Sequence, residues 1–252
     1  KEILETFEYE TLKSFYRDWY RPDLMAVIAV GDFDKMKLKN LVAEHFEKIP
    51  AAENAPERTM SVVPDHKEPL FAIATDPEAT NNMVSLYYKK EVEKFSTLGD
   101  YRKHIMGILY NNMINIRFNE LTKQADPPFL MAFSGSGSFV RTKDVYYIGS
   151  LVNENGIERG LEASLTEAKR VSLYGFEESE FERAKIEYLR GLEKALAEKD
   201  KTQSKMYAQE CLNHFLKDEP MPGIENEFEY TKMLLPEIGL DEVNALVDEY
   251  IK

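Results

Sequence analysis

Glu44-His45 is the pair from which hydrolytic chemistry in this chain would have to start. Two histidines four apart on a helix bind zinc from one face, and a glutamate beside the second serves as general base for the attacking water. In Leu41-Val42-Ala43-Glu44-His45, a leucine stands where the first ligand would be. One imidazole does not hold a catalytic zinc, which needs about three protein ligands. His45 therefore reads as an ordinary helix residue beside Phe46. His66, His104 and His214 lie in separate segments, none with a second histidine or a cysteine at ligand spacing.

Three other patterns invite chemistry and read better as structure. Ser134-Gly135-Ser136-Gly137-Ser138 lacks the lysine and helix start of a phosphate loop and the third glycine of a dinucleotide fingerprint. Small residues in or beside a strand, where another backbone can approach, are the preferred reading. Glu177, Glu178, Glu180 and Glu182 resemble paired carboxylates, but they fall where a helix should begin and free N–H groups favour negative charge. Cys211 has His214 one helical turn on, with no orienting third group in sequence, so a partly buried thiol is expected. No catalytic, cofactor-binding or metal-binding residue is expected in this chain.

The elements that hold these positions follow from periodicity. Helices are expected over 8–20, with Tyr9, Leu12, Phe15, Tyr16 and Trp19 on one face, and over 36–49. Between them, Arg21-Pro22-Asp23 stops the first helix, and the apolar run Met25–Val30 suits a strand covered on both faces. Residues 51–58 have no periodicity and read as a linker. Strands are expected over 70–75 and 83–89. A long helix should follow over 98–123, burying Leu98, Tyr101, Ile105, Ile108, Leu109 and Ile116. An antiparallel pair spans 129–140 and 145–154, and the remainder is helical over 156–174, 178–199, 202–217, 225–234 and 240–251. Strands first and helices after give an α+β fold, an antiparallel sheet with helices packed on one face.

A formal net charge of -13 argues against nucleic-acid backbones and anionic membrane surfaces as partners. A single cysteine excludes an internal disulfide and leaves the compartment open. No apolar run reaches membrane-spanning length.

The order in Phe15–Asp34, an aromatic WYRP helix end, an apolar strand, Gly-Asp and then a helix continuing to Leu41–Pro50 (LVAEHFEKIP), resembles the pitrilysin/insulinase-type zinc metallopeptidases. The looser resemblance runs to the C-terminus. It implies a metallopeptidase-half domain over 58–252, the second and non-catalytic one. Residues 1–57 would be the C-terminal remnant of a homologous zinc-type domain plus linker, in a fragment of a longer protein.

In the family's other catalytic half, an Arg and a Tyr seven residues later reach the substrate. The matching positions are Thr122, which has no charge, and Phe129, which has no hydroxyl to give an oxyanion. Arg117 lies nearby and is assigned a structural or surface role. The resemblance thus implies part of a zinc metalloendopeptidase that processes or degrades peptides, with this part forming chamber wall and scaffold. Zinc is expected in an upstream domain. The partners implied are that domain, a downstream half of the same protein and a peptide substrate. The bacterial periplasm is favoured over the cytoplasm. The alternative is an inactive family member acting as a binding or assembly subunit. Exposed strand and aromatic surface in residues 1–50 would favour a homodimer of the fragment.

Overall fold

The computed structural model describes residues 2–51 and 53–251, so Ala52, inside the expected linker, lies outside the description. The chain divides into two compact units. One takes in Lys1–Thr59 with Lys201–Met221, and the other Met60–Asp200 with Pro222–Lys252.

The first unit is helical. It holds α1 (Glu2–Thr6), α2 (Tyr9–Trp19), α3 (Lys35–Phe46) and α7 (Ser204–Lys217). Pro22 ends the α2 segment as expected, opening a short 3-10 turn over Pro22–Leu24. Asp34 starts α3, its carboxylate accepting from Met36 N–H at 2.8 Å and Lys37 N–H at 2.9 Å. The expected strand at Met25–Val30 is not one. Met25 and Val27 are exposed, and the segment has no ladder partner among the described residues. An apolar run becomes a strand only when a neighbouring edge supplies hydrogen bonds, and none does so. No residue of α2 is buried.

The second unit carries a three-stranded antiparallel sheet in the order β1-β3-β2, from β1 (Asn82–Lys90), β2 (Met131–Val140) and β3 (Lys143–Val152). Helices α4 (Leu98–Thr122), α5 (Ile157–Tyr174), α6 (Glu178–Ala197), α8 (Ile224–Leu234) and α9 (Leu240–Tyr250) complete it. The expected strand over 70–75 is absent; Leu70, Phe71 and Ile73 are 74%, 88% and 90% exposed. The other strands and helices lie within a few residues of their expected places.

Helix α4 is the axis of this unit. Thr97 and Asp100 start it with a reciprocal capping box. Tyr101, Ile105 and Leu109 are buried as expected, but Leu98 is exposed and Ile108 and Ile116 are only half-buried. Met106, Tyr110, Met113, Ile114 and Phe118 are buried as well. The helix is flanked by β2 and by α5, α6, α8 and α9, so more than one stripe of it is covered. On β3, Tyr146, Ile148, Ser150 and Val152 alternate into the same core. Tyr146 stacks on Tyr250 with ring centroids 4.5 Å apart and planes at 4°.

The opposite face of the sheet carries Tyr87, Tyr147, Phe133 and Met83. A Cβ on Gly135 would lie 2.6 Å from the Tyr147 hydroxyl and 2.7 Å from the ring's Cζ. One on Gly149 would lie 2.6 Å from the Phe133 ring. The glycines of the Ser-Gly-Ser-Gly-Ser run and of β3 thus clear floor space for aromatic rings laid across neighbouring strands.

Candidate functional site

The residues with catalytic potential lie apart from one another, and His66, His104 and His214 are engaged locally. His45 sits exposed on α3, one place from its end. His66 Nδ1 lies 2.7 Å from the Glu68 carbonyl oxygen, and His214 Nδ1 lies 2.8 Å from that of Glu219. His104 packs edge-on against Phe95 at 5.2 Å. Cys211 is a half-buried free thiol on α7. Among the described residues, no three His, Cys, Asp or Glu side chains come together in a way that could hold a metal ion.

Thr122 is the last residue of α4, and its hydroxyl donates back to the Asn119 carbonyl at 2.7 Å. Phe129 is 2% exposed, its ring edge-on to Phe118 at 6.3 Å. One closes a helix end and the other fills the core, so neither presents a group to a ligand. Between them, Asp126 is held by a two-pronged ion pair with Arg159, at 3.0 and 2.8 Å.

The densest polar arrangement surrounds Arg117. Its Nε donates to Glu180 at 2.7 Å, and one terminal nitrogen donates to the other Glu180 oxygen at 2.6 Å. The remaining bonds reach Glu167 at 3.2 Å and the Gly175 carbonyl at 3.2 Å, while the guanidinium lies 4.9 Å over the Phe176 ring. Arg170 approaches Glu167 from outside at 2.8 Å. Glu180 also accepts from Glu177 N–H at 2.8 Å, completing the capping box of α6. Burial pushes the Glu180 carboxyl up, but Arg117 and the Glu177 N–H together hold it below its ordinary value. The hydrogen bond that Arg117 donates to Glu180 is in turn the main reason that Arg117 is pushed up. This is a clamp of α4, α5 and α6 rather than an acid–base pair, because both Glu180 oxygens and one oxygen of Glu167 are committed to the Arg117 guanidinium.

Sequence reasoning placed the acidic cluster at a helix start but missed that Glu180 reaches Arg117. They lie 63 positions apart, and nothing local signals the pair. It also missed Asn115, whose carboxamide accepts from Ser134 N–H at 2.7 Å and donates to Ser134 C=O at 3.0 Å. That pair of bonds occupies the backbone of Ser134, the first residue of the Ser-Gly run.

A family model for the "Peptidase M16 inactive domain" matches residues 6–188. The chain belongs to the peptidase M16 family. An Arabidopsis thaliana protein named as a PQQL-like zinc protease is 29% identical over 245 residues, which is 97% of this chain and 23% of that protein. The crystal structure of the periplasmic protease PqqL from Escherichia coli superposes with a TM-score of 0.84 at 19% identity, over 98% of this chain and 27% of that one. The structure of the first half of that protease gives 0.79 at 18% identity, covering 98% of this chain and 53% of that one. These structures share the fold with the chain, which spans about a quarter of the length of its full-length relatives. The expected family and the α+β layer hold, and the domain type is the family's inactive one.

Proposed function

We propose that this M16 domain is wall and scaffold of a zinc metalloendopeptidase whose catalytic zinc is held by an upstream domain of the same polypeptide. The domain boundary lies in the linker near residue 57, and a downstream half closes the chamber around a peptide. The observation that carries this reading is the fate of Thr122 and Phe129. The positions matching the family's substrate-contacting Arg and Tyr are committed to a helix end and to the core. The periplasmic setting of the Escherichia coli relative supports the same compartment for this protein. No described helix is long and apolar enough to cross a membrane, which agrees with that setting.

The test compares the 252-residue chain with the complete polypeptide, by elemental analysis after dialysis and by cleavage of quenched fluorescent peptides. The chain should retain no stoichiometric zinc and cut nothing. The complete polypeptide should hold zinc and show chelator-sensitive cleavage. Zinc-dependent cleavage by the chain alone would refute the assignment. A complete polypeptide without zinc or activity would favour the assembly-subunit reading instead.

A further inference from the structure

One stretch of the second unit is built like a strand and pairs with no other among the described residues. Leu70–Thr75 (LFAIAT) is six uncharged residues bounded by Pro69 and Pro77. Its large side chains, Leu70, Phe71 and Ile73, are among the most exposed apolar groups of the protein. Such a window has strong β-pairing character and no internal breaker, and a free row of N–H and C=O groups along it is a template for another chain.

The stretch is not a frayed end, because both its flanks are fastened to the sheet. On one side the Ser61 carbonyl accepts from the Thr142 hydroxyl at 3.0 Å, and the Pro64 carbonyl accepts from Lys89 Nζ at 2.7 Å. The buried Lys143 reaches Asp65 at 3.0 Å from the β2–β3 turn. On the other side, a turn at Asp76, with its carboxylate accepting from Glu78 N–H at 2.8 Å, leads into Asn82, the first residue of β1. The arm therefore departs near the Lys89 end of β1 and returns at its Asn82 end. Bridging that strand takes about 30 Å. The residues from 65 to 82 can span roughly 55 Å when extended. The arm has nearly twice the chain it needs, so its length does not hold it against β1, and it makes no ladder there.

We propose that Leu70–Thr75 is a donated strand, which pairs with an open sheet edge in another part of the same polypeptide and buries Phe71 and Ile73 there. Three observations select that occupant over others. The arm's own neighbour, β1, does not pair with it although the connecting turn is short. The chain spans only about a quarter of its relatives' length, so most of the polypeptide is available to supply the edge. An uncharged surface with residues exposed to this degree matches permanent interfaces, which resemble a cut core, rather than transient contacts with a passing substrate. The inference rests on the reading that the chain is part of a longer peptidase.

The experiment places a photo-crosslinking benzoylphenylalanine at position 71 of the complete polypeptide, at a side chain whose exposure lets the variant fold. Isotopically heavy and light copies are mixed, irradiated and digested. The expected product links position 71 to a peptide from outside the 252 residues, within one isotopic species. Links into β1, mixed heavy–light links to a second copy, links that form only with added peptide substrate, or no links would each overturn the proposal. Hydrogen exchange supplies a second readout free of substitution. Amides in 70–75 should exchange at least about a hundredfold more slowly in the complete polypeptide than in the 252-residue chain, and equal rates would overturn it. Zinc-dependent activity measured on the same sample separates the two ideas. Activity without links sinks the donated strand alone, and links without activity sink the peptidase reading alone.

Discussion

β3 and the arm before β1 are apolar runs of similar quality with opposite fates. Val145–Val152 (VYYIGSLV) sits between two strands and beneath α5, and Tyr146 in it is fully buried. Leu70–Thr75 has no ladder partner among the described residues, and Ile73 is 90% exposed. The difference teaches that an apolar run states a demand for cover without saying who supplies it. β3 draws its cover from within the unit, whereas the arm holds its demand open.

The largest expected effect tests the covered side. Phe129→Ala should cost roughly 3–5 kcal/mol in urea unfolding, since it removes a buried ring and leaves a cavity against Phe118. Phe71→Ala in the same 252-residue chain should change the midpoint by less than about 0.5 kcal/mol, as expected for an exposed site. Equal costs at the two sites would break the comparison.

Next comes the clamp. Arg117→Met leaves the buried Glu167 and the half-buried Glu180 without their main counter-charge, and should cost about 2–4 kcal/mol near pH 7. The sign with pH follows from Glu180, whose carboxyl lies below its ordinary value in the folded protein. In the native chain its contribution is present above the ordinary carboxylate range near 4.5 and is lost as pH falls through the lower folded value. Without Arg117, burial loses its main opponent, and only the Glu177 N–H and the more distant Arg183 still favour the charged form. The carboxyl therefore rises, and the variant's deficit should shrink on acidification toward pH 4. A deficit independent of pH between 7 and 4 would mean that packing of Arg117 on Phe176, not charge, holds the clamp.

The smallest effects fall on the glycines. Gly135→Ala and Gly149→Ala force the Tyr147 and Phe133 rings to move and should cost about 1–3 kcal/mol. Gly137→Ala, on the same strand but facing open space, should be neutral or stabilising by about 0.5 kcal/mol. Thermal melts of the three variants decide whether the rings need the glycine floor.

Much of this was legible in sequence where the signal is local. The long helix, the β2–β3 pair and the succession of C-terminal helices each announce themselves by period, and Pro127-Pro128 marks the exit of the long helix. The Leu-for-His exchange at residue 41 likewise showed that the zinc motif is absent. What failed depends on a distant partner. Met25–Val30 and Leu70–Thr75 read as strands because their composition fits one, but pairing needs an edge that one-dimensional periodicity cannot locate. Ile108 and Ile116 were assigned to the buried side of α4 from a single stripe, whereas the helix is covered on several sides and buries Tyr110, Met113 and Phe118 too. Arg117–Glu180 and Asn115–Ser134 join residues 63 and 19 positions apart, with no pattern in between.

The central claim is that this domain takes no part in the chemistry of peptide cleavage. Thr122→Ala in the complete polypeptide tests it most directly, since it alters the matching position without touching the core. kcat/KM for a quenched peptide should stay within about twofold of the parent, because the Thr122 hydroxyl serves only the end of α4. A hundredfold fall with the melting temperature unchanged would contradict the account and return Thr122 to the catalytic machinery.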